Sequence, residues 1–354
     1  MRGEGEMKAA VWHGLRDVRV EEVPEPQIEP GMVKIRVAWC GICGTDLHEY
    51  LAGPIFVPKE PHPLTNQGAP VILGHEFSGE VIEIGEGVTN VAVGERVTVE
   101  PILACGTCIP CKKGMYNVCN SIGFHGLSGG GGGFSEVTMV KAGMVHKIPD
   151  EMSFEQAATV EPTAVALHAV RQSRLKAGDT CVVFGTGPIG LLVIQAARVA
   201  GASLIIGVEV SAQRQKMARE CGAHVVIDPT KENVVEAIHQ LTDGGADVCF
   251  EVTGVEKGLL GAIESAKTDG QIVIVSIWEK STSIPPNQFV LKERQMKGVL
   301  AYRDIFPSVI QLIAEGRFEV NKLITKKIPL EEIAAGGFEE LVKTKDHIKI
   351  LVSP

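Results

Sequence analysis

Asp179-Thr180-Cys181-Val182-Val183-Phe184-Gly185-Thr186-Gly187-Pro188-Ile189-Gly190 decides the fold of the central part of this chain. Its first half is a short apolar run, the pattern of a strand covered on both faces in a parallel sheet. Its second half sets glycines at 185, 187 and 190, and Leu191 to Ala200 then reads as a helix. A lone G-x-G-x-x-G is weak, but one that follows a strand and opens a helix is a dinucleotide-binding unit. The glycines permit a tight turn and let a pyrophosphate approach the helix N-terminus, whose free N–H groups favour anions. A second strand, Ser203 to Val208, ends at Glu209. Its carboxylate suits the ribose hydroxyls of adenosine and repels a 2′-phosphate, which selects NAD over NADP. Pro188 and Ile189 in the turn, with Arg214, Thr253 and Ser276 further on, complete the candidate cofactor-binding residues.

The alternation continues outward from this unit. Val225 to Ile227, Asp247 to Phe250 and Ile272 to Ile277 read as strands, and Asn233 to Leu241 and Gly258 to Ala266 as helices. That is a doubly wound α/β domain with a parallel sheet, spanning residues 161–301. Cys181, Cys221 and Cys249 fall in or beside these elements and read as small buried hydrophobes. From Tyr302 the pattern changes to a helix, Phe306 to Glu315, a turn at Gly316 and short segments. Residues 302–354 are too few for a domain and are expected to complete the first one.

Residues 1–160 read as a β-rich domain. Met7 to Val20, Val33 to Val37, Val71 to Ile84, Arg96 to Val99 and Phe134 to Val140 are strand-like, with Gly and Pro turns between them. Leu51 to Pro70 holds Pro54, Pro58, Pro61, Pro63 and Pro70, which excludes a helix or a central strand. Long loops in compact domains serve function, and this one reads as a wall of a substrate pocket. Gly129 to Gly133 reads as a tight loop. Ser153 and Gln156 form a capping-box pair before a helix beginning at Phe154, which Pro162 should kink or end.

The chemistry gathers in Cys40-Gly41-Ile42-Cys43-Gly44-Thr45-Asp46-Leu47-His48-Glu49 and Gly74-His75-Glu76. Zinc takes Cys, His and carboxylate ligands, and a catalytic site keeps one position open. Cys43 and His75 are ligand types, and either Glu76 or Glu161 can supply the third. Thr45 and His48 follow Cys43 closely and suit removal of a proton from an alcohol. Taken alone, the stretch also reads as a buried cysteine beside turn glycines. Cys105, Cys108, Cys111 and Cys119 have the spacing of a closed four-thiolate zinc site with a structural role. Only Lys112 and Lys113 accompany them, which sets aside a ribbon that grips nucleic acid.

The 354 residues are 45% hydrophobic and 22% charged, with a net charge of -9. That balance fits a soluble globular chain and argues against non-specific binding to nucleic acid or an anionic membrane. Met1 to Glu6 carries no apolar run of a secretory leader, and Met7 is an alternative start. Nine cysteines without a leader point to a reducing, cytoplasmic setting.

These motifs together resemble the zinc-dependent medium-chain alcohol/polyol dehydrogenases over the whole length. CGICGTDLH, GHEFSGEVIEIG, the four-cysteine lobe, Val160-Glu161-Pro162 and VVFGTGPIG carry the resemblance. Met7 to Gly14 and His48 to Phe56 are similar to the butanediol dehydrogenase branch. The resemblance implies a GroES-like catalytic domain interrupted by a Rossmann domain, and homodimers or homotetramers formed through the latter. It implies zinc on Cys43, His75 and Glu161, with Glu76 as an alternative acidic ligand, and a proton relay through Thr45 and His48. It further implies two zinc ions per chain, NAD, and hydride exchange between (R,R)- or meso-2,3-butanediol and acetoin. Sorbitol, xylitol or threonine oxidation is the alternative within the family, and a zinc-stabilised NAD-binding sensor the alternative outside it. Ala301 stands where sorbitol dehydrogenases carry an arginine, and the Leu51–Pro70 loop is longer than theirs, which disfavours a long polyol.

Overall fold

A computed structural model describes residues 5–344 and 347–354. Met1 to Glu4, within the Met1 to Glu6 stretch that carries no leader-like apolar run, lie outside the described residues. The chain forms two compact units. The first comprises the chain up to Glu161 with Phe306–Glu315 and Val320–Pro354; the second comprises Pro162–Ile305 and Gly316–Glu319.

The first unit is built on a sheet centred on Met32–Gly41, which pairs antiparallel with Glu76–Ile84, Val137–Lys141 and Lys349–Ser353. The C-terminal strand thus lies directly against the strand leading to Cys43, with Val352 opposite Cys40. A separate sheet joins Glu6–Gly14 to Asp17–Pro24 and Val71–Ile72.

The second unit holds six parallel strands in the order Val225–Ile227, Leu204–Val208, Thr180–Phe184, Ala246–Glu251, Ala266–Ile274, Gln295–Gly298. The order reverses between Thr180–Phe184 and Ala246–Glu251, the point where such sheets bind ligands. Val182, Ile206, Cys249, Ile272 and Ile263 lie in one core, each fully buried. Cys181 and Cys221 are buried too, so these thiols pack as apolar groups.

Several elements differ from the pattern reading. Gly44–Ala52 is a helix, and its start at Cys43 is fixed by the Asp46 carboxylate, which accepts the Cys43 N–H at 2.9 Å. The expected strand Val71 to Ile84 is interrupted at Leu73–His75, because Gly74 adopts φ +99. Ser153 and Gln156 do form the capping box, but that helix stops at Ala158 and a new one, Val160–Gln172, begins. Pro162 therefore sits in a first turn, where its missing N–H costs nothing, rather than mid-helix. The strand expected at Ile272 to Ile277 runs from Ala266 to Ile274. Gln295–Gly298 is a further strand whose four residues are all exposed, so no apolar pattern marked it.

Candidate active site and cofactor site

Cys43, His75 and Glu76 bring one ligand atom each to within 4.8 Å of one another. Three local features achieve this. Cys43 caps the helix Gly44–Ala52. Glu76 opens the strand Glu76–Ile84 opposite Gly41. His75 is held by the glycine loop: Gly133 and Phe134 donate to the Gly74 and Leu73 carbonyls at 2.7 and 3.0 Å. A Cβ at Gly133 would lie 2.7 Å from Phe77 and 2.8 Å from the Cys40 sulfur, so only glycine fits. Cys40 is buried in this packing and is not one of the grouped ligands.

The surroundings of Cys43 and His75 favour a cation, whereas Glu76 already faces one in Lys349. The His75 ring nitrogen Nδ1 faces Asp46 Oδ1 at 3.4 Å, and both atoms are buried without a hydrogen bond. A histidine that ligates a metal through one nitrogen usually has a carboxylate beside the other. Lys349 reaches both Glu76 oxygens at 2.8 and 2.5 Å and the Ile42 carbonyl at 3.1 Å. Burial pushes the Cys43 thiol up, and the Glu76 charge pushes it further. Burial opposes a charge on His75, but Asp46 and the Cys43 sulfur outweigh it and hold the imidazole well above its usual range. Zinc binding at these groups would displace protons from the Cys43 thiol and the His75 ring. The residues therefore fit zinc. Glu161 is buried at the start of its helix and outside this group of ligand atoms.

Thr45 and His48 are half-buried and one turn apart on the helix, with the Thr45 hydroxyl 3.7 Å from the Cys43 sulfur. The next residue, Glu49, is fully buried and accepts backbone N–H bonds from Ile55, Phe56 and Val57. Of the loop's expected apolar wall, Val57 is buried, Phe56 meets Phe124 edge-on, and Leu51 and Ile55 are exposed. Asp46, Glu49 and Lys349 were not singled out by sequence reasoning. Asp46 could have been found, since it lies at the third helical position after a cap.

Cys105, Cys108, Cys111 and Cys119 form the second group. A tetrahedral ion about 2.3 Å from each sulfur separates the sulfurs by about 3.8 Å. The Cys108–Cys119 and Cys105–Cys119 sulfurs are 3.8 and 3.5 Å apart. Backbone N–H groups of Cys105, Thr107, Cys108 and Ser121 point at the sulfurs from 3.3–3.4 Å, as thiolates require. Hydrogen bonds from Thr107 lead in lowering the Cys105 thiol to about 5.

In the second unit, Gly185 adopts φ +88, and a Cβ on Gly190 would lie 1.9 Å from the Gly185 carbonyl. Gly187 caps the helix Pro188–Val199, and only Arg214 Nη1, at 3.8 Å, approaches its Cβ position. Arg214 Nε is buried without a partner. This cradle beside an orphaned cationic group fits a pyrophosphate. The Glu209 carboxylate accepts the Thr186, Val210 and Ser211 N–H groups at 3.0, 2.9 and 3.0 Å and the Thr186 hydroxyl at 3.3 Å. It thus anchors the glycine turn, a duty the sequence did not disclose. Thr253 and Ser276 both bond buried Glu251, which also accepts the Gly254 N–H at 2.9 Å. Among the described residues no helix is long and apolar enough to cross a membrane.

The "Alcohol dehydrogenase GroES-like domain" family matches residues 29–150, and "Zinc-binding dehydrogenase" matches residues 188–315. The chain is 57% identical to (R,R)-butanediol dehydrogenase of Bacillus subtilis over 98% of its length and 100% of that protein. It is 33% identical to the sorbitol dehydrogenase of the same organism, over 98% and 97% of the two chains. The crystal structure of 2R,3R-butanediol dehydrogenase from Bacillus subtilis superposes with a TM-score of 0.94, covering 98% of this chain and 99% of that one. By both family matches and by 57% identity over nearly the whole length, the chain belongs to the zinc-binding alcohol dehydrogenases with a GroES-like domain.

Proposed function

We propose that the chain is an NAD-dependent oxidoreductase of short vicinal diols, interconverting (R,R)- or meso-2,3-butanediol and acetoin. The observation that carries this reading is the 57% identity to a butanediol dehydrogenase, against 33% to a sorbitol dehydrogenase, in a chain with a buried Cys43–His75–Glu76 group. Cys43 and His75, with Glu76 or Glu161, would hold the catalytic zinc, and Cys105, Cys108, Cys111 and Cys119 the structural one. Zinc supplies Lewis-acid polarisation that lowers the pKa of a substrate hydroxyl, and NAD supplies the hydride acceptor. Asp46 orients the His75 ring, and Lys349 balances the Glu76 charge. Thr45 takes the hydroxyl proton and His48 holds it on its way to solvent. An apolar wall from the Leu51–Pro70 loop suits methyl groups, whereas the many hydroxyls of a hexitol would be left unpaired there.

Oligomerisation through the second unit is part of the same proposal. Its edge strand Gln295–Gly298 is exposed, and Val290 and Leu291 before it and Met296 within it present apolar surface. Such an edge invites pairing with a second copy. Nine free cysteines suit the cytoplasm.

The test is NADH release from the three 2,3-butanediol stereoisomers, sorbitol, xylitol and threonine. The highest kcat/KM is expected for the (R,R) or meso diol; a higher value for sorbitol or threonine contradicts the assignment.

His48→Ala is expected to slow diol oxidation about 10²-fold, most at low pH, with partial rescue by external buffer bases. A pH–rate profile that keeps its shape removes His48 from the relay. Glu209→Gly is expected to raise the KM for NAD about tenfold and to relax discrimination against NADP, since the carboxylate repels a 2′-phosphate. The Thr186 hydroxyl, at 3.3 Å from Glu209, is the contact a ribose hydroxyl would displace. Wild-type enzyme that already prefers NADP contradicts this role.

A further inference from the structure

Glu49 is a carboxylate with 0% exposure that accepts hydrogen bonds from backbone N–H groups. Its acceptor capacity is taken up by the main chain of one short segment. Ile55 donates to Oε2 at 2.9 Å, Val57 donates to Oε1 at 3.2 Å, and Phe56 donates closely to Oε1. The residue's own carbonyl accepts the Trp12 indole N–H at 3.1 Å and the Gly53 N–H at 3.0 Å, which fixes the helix end from which the carboxylate projects. A Cβ at Gly53 would lie 2.5 Å from Oε2, so the carboxylate occupies the space under the helix-to-loop turn.

Burying an anion is costly unless its hydrogen bonds are made, and donors to a charged acceptor form bonds about twice as strong as neutral ones. An apolar side chain at this place would leave those three N–H groups without their acceptor. What the anion adds is geometry: three N–H vectors from residues 55–57 must converge on one group. That fixes Ile55 and Phe56 relative to the helix bearing Thr45 and His48. Ile55 is 44% exposed, and Leu51, one helical turn after His48, is 37% exposed, so this corner shows apolar surface.

We infer that Glu49 is a positioning residue for substrate specificity, acting through the Ile55–Val57 segment, which it holds as the wall that receives the methyl groups of the diol. The inference rests on the function proposed above. Contacts to methyl groups are the same in the ground and transition states, so loosening the wall raises KM and spares kcat.

The experiment is steady-state kinetics of the full-length, zinc- and NAD-loaded enzyme and its Glu49→Gln variant. The substrates are (R,R)-2,3-butanediol and ethane-1,2-diol, which has no methyl groups. The amide of glutamine keeps one acceptor oxygen and turns the other position into a donor. For butanediol a KM about tenfold higher is expected, while kcat and the KM for NAD stay within about twofold. The KM for ethane-1,2-diol should hardly change. Equal changes for both diols, or none for either, overturn the inference. Wild-type enzyme inactive on both diols overturns the function and this inference together; an active wild type with an unaltered variant overturns the inference alone. Amide hydrogen exchange on the wild type gives a reading independent of the variant's folding. The N–H groups of Ile55, Phe56 and Val57 should exchange at least about 10²-fold slower than in an open loop. Exchange at open-loop rates overturns the anchor.

Discussion

Replacing Cys43 by serine is expected to lower diol oxidation by at least about 10³-fold while the protein stays folded. The sulfur is one of three grouped ligand atoms, and a hydroxyl is a far poorer zinc ligand than a thiolate. The fold should survive because Cys43 caps its helix through the backbone: the Asp46 carboxylate accepts the Cys43 N–H, a bond the substitution keeps. Binding of NADH to the second unit should be unchanged, which separates loss of chemistry from loss of structure. Turnover within about tenfold of wild type would remove Cys43 from the catalytic group.

Replacing Cys108 by serine should have the opposite signature. The four-cysteine lobe has short elements only, Ile102–Leu103, Ile109–Lys112, Tyr116–Val118 and Gly123–Phe124. Its exposed Ile109, Met115 and Val118 show how little apolar surface the lobe buries. Such a lobe depends on its metal for order, because metal binding energy there is folding energy. The variant is expected to melt about 10 °C lower and to lose solubility, with kcat of the surviving folded fraction within about threefold of wild type. An unchanged melting temperature, or a loss of turnover with no loss of stability, would contradict a structural role.

Local motifs were legible in the sequence. The turn at Gly185–Gly190 and the spacing of Cys105 to Cys119 each carry their geometry in a dozen or so residues of chain, because backbone conformation and ligand reach are local constraints. The helix Gly44–Ala52 was not read, although Leu47, Tyr50 and Leu51 have helical spacing, since the chemistry-bearing residues between them masked it. Lys349 was beyond reach. It lies 273 residues from Glu76, and only the return of the C-terminal strand to Gly41 brings the two together. The strand Gln295–Gly298 and the anchoring roles of Glu49 and Glu251 were hidden for a related reason. An exposed edge has no apolar period, and a buried carboxylate satisfied by main-chain donors has the same letter as a solvated one.

Metal content tests the account most directly. Wild-type protein purified without added metal and measured by elemental analysis should hold one zinc ion for each of the two cysteine-bearing groups. Cys43→Ser should lose the ion of its own group, together with activity, and keep the other. Cys108→Ser should lose the ion of the four-cysteine lobe, together with thermal stability, in the fraction that stays folded. Wild-type protein that is fully active on butanediol with NAD and contains no zinc would contradict the assignment of both sites.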